Sequence, residues 1–253
     1  MRVFYSVDDL PRFTYPVVTV GSYDGVHYGH RVLLSRVKAL AASTGGESIV
    51  VTFWPHPRQV LPDGGNIRLL NTLDEKLYLL QEAGIENTLV LPFTAHLAGL
   101  TAQEFLESIL VDRIGVRRLV VGYNHRFGSD RKGDYDFLCS RQSCFGFTAE
   151  RVERRDIHAE KVSSTVIRHL IEAGEMHKAG EFLTRGYIVL ADVDGSGIVD
   201  IADYKLMPPA GRYPVSVTCG GSIYDDTLVV SDNGTTVLEN GAKGARRVLI
   251  TFS

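Results

Sequence analysis

The chain has 253 residues, 44% of them hydrophobic, and a formal net charge of −3 at pH 7, a composition typical of a globular protein with a substantial core. This charge gives no bulk attraction for nucleic acid or an anionic membrane, so any anion site must be built locally, and the oligomeric state stays open. Without a long apolar run, a signal-peptide core or a cysteine framework, the sequence predicts a cytoplasmic protein with reduced thiols.

The first predicted element is a short β-rich run, Val17–Val20, which leads through Gly21 into a loop containing His27 and His30. Apolar residues at helical spacing follow and end near Gly45-Gly46, so the loop joins a strand to a helix N-terminus. Outward-facing backbone N–H groups and the helix dipole suit such a junction to holding phosphate. Two histidines three residues apart share one face and can donate to neighbouring oxygens. These residues alone leave a phosphate site, a metal site and a plain turn open.

A second predicted strand, Ser48–Phe53, completes a strand–helix–strand unit, which calls for a right-handed crossover. Its carboxyl end runs into Pro55, His56 and Pro57, where two prolines fix the path of the loop. In open α/β sheets, ligands bind beyond the carboxyl ends of strands, so we expect His56 to face the same crevice as the histidine pair. A rigid loop without a ligand is the alternative interpretation.

The middle of the chain alternates between helix and strand, which is typical of an α/β fold. We predict helices at Leu73–Ala83 and from a capping box at Thr101 and Glu104 to about Ile114, and strands at Thr88–Leu91, Arg117–Val121 and Phe145–Val152. A loop with several glycines and cationic residues follows the strand at Arg117–Val121.

A further helix is predicted to begin at Ser163 or Ser164, and Arg168 falls within its first two turns. Hydroxyls and an arginine at a helix N-terminus form a second anion cradle, whereas ordinary capping with a solvated arginine is the alternative. This helix ends at Gly174, and a short helix is predicted at Met176–Leu183.

After Gly186 the helical periodicity vanishes, and short β-like runs separated by Gly, Asp and Asn predict a small antiparallel barrel or sandwich. The predicted fold class is therefore α/β: a domain with a parallel sheet, at residues 1–185, followed by a small antiparallel β-barrel domain at residues 186–253.

The chain resembles the prokaryotic FAD synthetase (FMN adenylyltransferase) family in four stretches that follow the family's order: GSYDGVHYGH, FWPHP, GYNHRFG and VSSTVIR. That family consists of nucleotidylyltransferases with a Rossmann-like fold, usually fused to riboflavin kinase. The resemblance departs from the family pattern at Tyr23, where Phe is usual, at Trp54, where an acidic residue is common, and at His125, which replaces an aromatic residue.

The resemblance implies transfer of AMP from ATP to FMN, giving FAD and pyrophosphate, with Mg²⁺ accompanying ATP and no dedicated metal cage in the protein. It implies catalytic roles for His27, His30, Thr165 and Arg168, ATP binding by Gly21, Asp24, Gly25, Asn124, Ser163 and Ser164, and flavin binding by Pro55, His56, Pro57 and Phe127.

The C-terminal part resembles a shortened riboflavin kinase barrel. The family's kinase motif ends in P-T-A-N, whereas the corresponding stretch here, 194–203, reads DGSGIVDIAD, and Glu239 resembles a relic of the kinase's catalytic glutamate. We therefore expect no riboflavin kinase activity. Two alternatives stay open: an inactive flavin-nucleotide-binding regulatory module, and another nucleotidylyltransferase.

Overall fold

The structure is a computed structural model that describes residues 1–154, 156–157, 160–241 and 247–253. Its α-helices are α1 (Tyr28–Thr44), α2 (Pro57–Val60), α3 (Leu73–Glu82), α4 (Ala95–Gly99), α5 (Ala102–Phe105), α6 (Tyr135–Phe145), α7 (Ser164–Glu172) and α8 (Met176–Leu183). Its strands are β1 (Arg2–Phe4), β2 (Val17–Val20), β3 (Ser48–Trp54), β4 (Asn87–Pro92), β5 (Arg118–Gly122), β6 (Thr148–Val152), β7 (Ile188–Val193), β8 (Val199–Asp200), β9 (Gly211–Cys219), β10 (Ser222–Val230), β11 (Thr236–Leu238) and β12 (Arg247–Phe252). A π-helical stretch, Leu106–Val111, continues α5.

The chain divides by packing into two compact units. The first unit comprises Met1–Tyr23, Gly29–Ile67 and Leu77–Arg155, and the second comprises Asp24–Tyr28, Arg68–Lys76 and Asp156–Ser253. Two short segments, 24–28 and 68–76, therefore pack with the C-terminal part of the chain rather than with their sequence neighbours.

The first unit contains a parallel sheet with six strands in the described part of the chain, in the order β1-β4-β3-β2-β5-β6. From β2 the chain adds β3 and β4 on one side, and β5 and β6 extend the sheet on the other, so the strand order reverses between β2 and β5. Such a reversal is the point at which α/β sheets bind ligands, beyond the carboxyl ends of the strands. The predicted Rossmann-like parallel sheet is confirmed.

The central strands of the first sheet are apolar and buried. All four residues of β2 are buried, as parallel strands covered on both faces must be. The core of this unit brings Val18, Ile49 and Leu119 of the strands together with Phe105 and Leu110 of the helical stretch 102–111.

The predicted capping box opens that helical stretch. Thr101 Oγ1 accepts a hydrogen bond from Glu104 N at 3.2 Å, and Glu104 Oε2 accepts one from Thr101 N at 2.8 Å. These bonds satisfy two backbone donors that a helix start leaves without helical partners.

The second unit contains an antiparallel sheet with six strands among its described residues, in the order β11-β10-β9-β12-β7-β8. The two edges meet where Ile198 pairs with Val237 and where Leu238 N donates to Gly197 O at 2.9 Å. The sheet therefore curls into a nearly closed barrel, as predicted. Alternate residues along the second half of β9, from Val215 to Cys219, are buried, the period of a strand with one face on a core.

Helices α7 and α8 bury their apolar faces in the same core as the barrel strands. Ile167 and Phe182 belong to one buried cluster with Val217 and Phe252. The longest segment of the second unit, Asp156–Ser253, therefore includes α7 and α8 as well as the barrel strands, because these amphipathic helices bury their apolar faces in this core. The division into sequence domains at 1–185 and 186–253 stays a prediction.

Sequence reasoning missed β1, α2, α4 and α6. The first three are short. Helix α6 lacks an apolar stripe, since Leu138 is the one residue that it buries among those the structure describes. Local caps define α6: Asp134 Oδ1 accepts from Phe137 N at 3.0 Å, and Gly146, at φ 69°, ends the helix. The strand predicted from Phe145 begins at Thr148 for this reason.

Across the described ranges, no helix has the length and apolarity needed to cross a membrane. Cys139, Cys144 and Cys219, all of them described, form no disulfide.

Candidate active site

The predicted site residues fall into both compact units. The first unit holds Gly21, His30, Pro55, His56, Pro57, Asn124 and Phe127, and the second holds Asp24, Gly25, His27, Ser163, Ser164, Thr165 and Arg168. Each unit therefore contains its own organised group of these residues.

In the first unit, β2 delivers Gly21 to the switch point of the sheet, where Gly21 N donates to Val51 O at 3.0 Å. The buried Tyr23 hydroxyl lies 2.8 Å from Thr19 Oγ1, and the Tyr23 ring centroid lies 5.1 Å from that of His30. Thr19 gives the buried Tyr23 hydroxyl the hydrogen-bond partner that it needs.

His56 is the N-cap of α2, and this contact makes one ring nitrogen a hydrogen-bond acceptor. His56 Nδ1 accepts a hydrogen bond from Arg58 N at 3.1 Å, and Gln59 Oε1 accepts one from His56 N at 3.3 Å. Because Nδ1 is an acceptor, the proton of the neutral ring sits on Nε2. Pro57 occupies the first helical position, where its missing N–H costs nothing.

The loop after β5 contains Asn124, His125 and Phe127. Asn124 is exposed, whereas the Phe127 ring packs 5.5 Å from the Phe105 ring, centroid to centroid. Burial lowers the pKa of His125 from its ordinary value of 6.5 to about 4. Its Nε2 atom is buried and lacks a hydrogen-bond partner among the described residues.

In the second unit, Asp24 organises the loop that carries His27. Asp24 is 2% exposed, and its Oδ1 accepts from Leu70 N at 2.9 Å and from Asn71 N at 3.2 Å. Its Oδ2 forms an ion pair with Arg168. Burial raises the pKa of Asp24, and the Arg168 charge opposes that rise.

Gly25 and Arg185 hold the backbone of the same loop. Gly25 N donates to Asn71 Oδ1 at 2.8 Å, and Arg185 NH2 donates to Gly25 O at 2.8 Å. Gly25 has a φ of +90°, and a Cβ there would lie 2.7 Å from Leu70 Cδ1. The position therefore requires glycine for both its conformation and its packing.

His27 precedes α1 and is 8% exposed. Burial first, and then the positive charge of Arg185, lower its pKa to about 4. His27 is thus neutral near pH 7 and donates one hydrogen bond while adding no charge.

The start of α7 lies in the same unit as this loop. Ser163 is the N-cap, accepting from Val166 N at 3.4 Å, and Ser164 Oγ donates to Asp24 O at 2.8 Å. Thr165 is exposed on the first turn. Arg168 Nε donates to Arg68 O at 3.0 Å, so Arg168 is a buried, bonded cation rather than the solvated arginine of the alternative interpretation.

Sequence reasoning missed Asn71, Glu75, Arg185 and Lys205, which support this loop. One signal was present: Thr72 and Glu75 have the spacing of a capping box, and Glu75 Oε2 accepts from Thr72 N at 2.9 Å. Arg185 and Lys205 carried no local signal, because their partners are distant in sequence.

The residues that the structure describes contain no group of three or more His, Cys, Asp or Glu side chains that could hold a metal ion.

Residues 12–166 match the family model described as FAD synthetase. The chain is 36% identical to the bifunctional riboflavin kinase/FMN adenylyltransferase of Pseudomonas fluorescens over 178 residues, which is 70% of this chain and 57% of that protein. It is 28% identical to the protein of the same name from Listeria monocytogenes over 220 residues, 82% of this chain and 69% of that protein. The chain thus spans little more than half the length of the Pseudomonas relative.

Among solved structures, the fold is similar to a crystal structure described as a macrolide-efflux protein from Streptococcus pneumoniae. The TM-score is 0.81 at 23% identity, over 99% of this chain and 88% of that one. This likeness concerns the fold alone.

The loop geometry gives a first prediction, for Gly25→Ala. The positive φ and the contact with Leu70 should lower the free energy of unfolding by about 2 kcal/mol, measured by urea denaturation. Gly99→Ala is the matched control, because a Cβ added at Gly99 would meet no atom within 4 Å and this glycine has no positive φ. The control should be at least as stable as the parent. Equal stability of Gly25→Ala would contradict the required conformation.

The buried His27 and the half-buried His125 give a second prediction, on pH. Because the folded pKa of His27 and of His125 is about 4 and the unfolded value 6.5, the unfolded chain binds more protons between these values. The stability is fully present above pH 6.5 and is lost as the pH falls towards 4, by about 2 kcal/mol per histidine at pH 5. Urea denaturation at pH 7.5 and pH 5 measures this loss.

His125→Gln should reduce that loss by about 2 kcal/mol, whereas the exposed His177→Gln should keep the parental pH dependence. An unchanged pH dependence in His125→Gln would contradict the burial of a neutral ring.

Proposed function

The chain belongs to the FAD synthetase family, and on that basis we propose that it transfers the AMP group of ATP to FMN. A phosphate oxygen of FMN attacks the α-phosphorus of ATP, the bond to the oxygen bridging to the β-phosphate breaks, and pyrophosphate leaves as FAD forms. This reaction needs no covalent protein intermediate. The protein's task is to align two anions and to stabilise the charge that develops on the leaving group.

The observation that carries this proposal is the junction of β2 and α1 within the family match. The strand ends at the switch point, the loop is ordered by buried bonds to Asp24 and Gly25, and His27 and His30 flank the start of α1. A helix N-terminus preceded by a glycine loop is a phosphate-binding arrangement.

We assign the phosphate contacts residue by residue. His27 and His30 donate to ATP phosphate oxygens, and the neutral state of His27 makes it a hydrogen-bond donor rather than a counter-ion. The Thr165 hydroxyl and the backbone N–H groups at the start of α7 are further donors, with Ser163 and Ser164 shaping that turn.

Arg168 supplies positive charge near the start of α7, held in place by Asp24. Gly21 and Gly25 let the backbone approach the nucleotide closely. The exposed Asn124 side chain offers an amide to the nucleotide.

We assign the flavin to residues of the first unit. Pro55, Pro57 and Phe127 offer apolar surface for the isoalloxazine ring, and His56 offers its Nε2 proton as a donor. Mg²⁺ prefers oxygen ligands and keeps several waters, so it would bind together with the phosphates of ATP rather than in a cage of protein ligands. The exposed Thr165 hydroxyl is an oxygen ligand that suits it.

We also propose that the barrel has no riboflavin kinase activity. The stretch from Asp194 forms a tight turn instead of the kinase motif, with Asp194 Oδ1 accepting from Ser196 N and Ile198 N, each at 2.9 Å. Glu239 is ion-paired with Arg212 at 2.5 Å. The reaction is proposed for the cytoplasm, with small-molecule substrates and no nucleic-acid partner.

The adenylyl transfer predicts a specific loss in the double variant His27→Ala/His30→Ala. Incubation with FMN, ATP and Mg²⁺ should give FAD and stoichiometric pyrophosphate for the parent, measured by chromatography and a coupled pyrophosphate assay. The double variant should lose activity by about a thousandfold, since it lacks two donors to the reacting phosphates.

The control for this experiment is His177→Ala, an exposed histidine of α8, which should keep parental activity. Near-normal turnover of the double variant would contradict the phosphate assignment. If the parent binds FMN but releases neither product, the regulatory-module alternative is favoured, and ATP turnover with another acceptor would favour a sister nucleotidylyltransferase.

The proposed loss of kinase chemistry predicts that riboflavin, ATP and Mg²⁺ give no FMN. The measurement is chromatography of the flavins after long incubation, with a bifunctional relative as positive control. Appearance of FMN in proportion to the enzyme added would show that the barrel retains a kinase site.

A further inference from the structure

We infer that Lys205 is a positioning residue for adenylyl transfer, through which the C-terminal barrel holds the phosphate-binding loop; the inference rests on the proposed function. Lys205 lies between β8 and β9, and none of the motifs that indicate the family contains it. The residues that carry the argument all belong to the second unit.

Lys205 is a buried cation with every donor engaged. Its side chain is 0% exposed, and Nζ donates to Glu75 Oε2 at 2.7 Å, Leu70 O at 2.7 Å and Ile188 O at 2.8 Å. Nζ also lies 4.2 Å from the centroid of the Tyr187 ring. An ammonium has three N–H donors, so these acceptors use all of them and fix one geometry.

Glu75, the ion-pair partner of Lys205, also bonds to the barrel and to its own segment 68–76. Its Oε1 accepts from Leu190 N in β7 at 2.9 Å, and its Oε2 accepts from Thr72 N at 2.9 Å as well as from Lys205. The backbone of segment 68–76 also bonds directly to the residue before Lys205, since Leu69 N donates to Tyr204 O at 2.7 Å. The segment 68–76 is thus bonded to barrel residues at several points.

The same segment holds the loop that carries His27. Leu70 N and Asn71 N both donate to Asp24 Oδ1, and Asn71 Oδ1 accepts from Gly25 N at 2.8 Å. Leu70 therefore donates to the phosphate-binding loop through its N–H while its C=O accepts from Lys205. A shift of Leu70 or Asn71 must move Asp24 and Gly25.

Helix α7 is tied to the same segment. Arg168 donates through Nε to Arg68 O at 3.0 Å and pairs with Asp24, and Ser164 Oγ donates to Asp24 O. Both proposed phosphate-binding elements of this unit, the loop at 24–28 and the start of α7, therefore depend on where segment 68–71 lies.

A buried ion pair is weak evidence for stability as such, because apolar residues of similar volume often serve as well. The Lys205 contacts do more than pair two charges, because their directional hydrogen bonds join three separate backbone segments, at residues 70, 188 and 205. Directional bonds to backbone specify position, which apolar packing does less sharply. Positioning of this kind affects turnover, because small misplacements of reacting groups are costly.

The test compares Lys205→Met, Lys205→Met/Glu75→Gln and the control Lys178→Met in the full chain. The double variant leaves no unpaired buried charge, so it keeps the fold if the single variant does not. Lys178 is a cation of the same unit whose side chain is 40% exposed and is paired with Glu160 at 3.0 Å, so its replacement should leave kcat/KM for ATP unchanged.

We expect both Lys205 variants to lower kcat/KM for ATP by about tenfold or more while KM for FMN stays within about twofold, because the flavin residues belong to the first unit. A purely structural role would instead lower the melting temperature and reduce activity only in proportion to the folded fraction. Parental kcat/KM for ATP in the folded double variant would overturn the inference.

Hydrogen–deuterium exchange separates this inference from the proposed function, because it needs no activity. Peptides covering 21–30 and 163–170 should exchange faster in the double variant, whereas peptides of β9 and β10 should keep parental protection. Unchanged exchange at both sites would overturn the inference even if the parent makes FAD. Selective loss of protection would support Lys205 as a positioning residue of this loop even if the parent makes none.

Discussion

The buried carboxylate of Asp24 is the constraint on which the second unit's share of the site depends. A buried carboxylate without partners costs several kcal/mol. Asp24 therefore needs hydrogen-bond donors, and the residues that supply them are distant from it in sequence. Leu70 and Asn71 donate backbone N–H groups, Arg168 provides a guanidinium, and the Asp24 carbonyl accepts from Ser164. Asp24 and Gly25 therefore have a structural role: the carboxylate of Asp24 bonds to the surrounding segments, and Gly25 adopts the positive φ that the turn requires.

These contacts also show how a slightly acidic chain can serve an anionic ligand. Arg168 is matched by Asp24 and Lys205 by Glu75, and His27 is neutral. Burial lowers the pKa of Lys76 to about 8, with Asp24 opposing the shift. Most of this buried positive charge thus has an internal partner. Under the proposed function, oriented N–H groups, hydroxyls and the cation that accompanies ATP therefore bind phosphate together with Arg168. Such dipoles are fixed before the ligand arrives and need little reorganisation during the reaction.

The parts of this arrangement that sequence predicted are those with local signals. Strand β2, its glycine, the histidine pair and the cap at Ser163 follow one another within short stretches, and periodicity located α1, α7 and α8. Helix α6 escaped because it has one buried residue and is defined by its caps. The residues that support the loop were missed for a different reason: Asn71, Arg185 and Lys205 bond to partners up to 160 residues away. Buried polar pairs of that kind have no periodicity, and only tertiary structure brings them together.

The same contacts give a physical reason for a barrel that lacks its kinase motif. Helices α7 and α8 have their apolar faces in the barrel core, through residues such as Ile167 and Phe182, so the chain cannot lose the strands without exposing those faces to water. The stretch 194–203 departs from that motif and still places Val199 in this core, with Ile201 packed against it. Loss of the barrel would remove both the apolar core of α7 and the bonds that hold segment 68–71. Under the proposed function, a barrel without catalysis is retained because the transferase site is built partly on it.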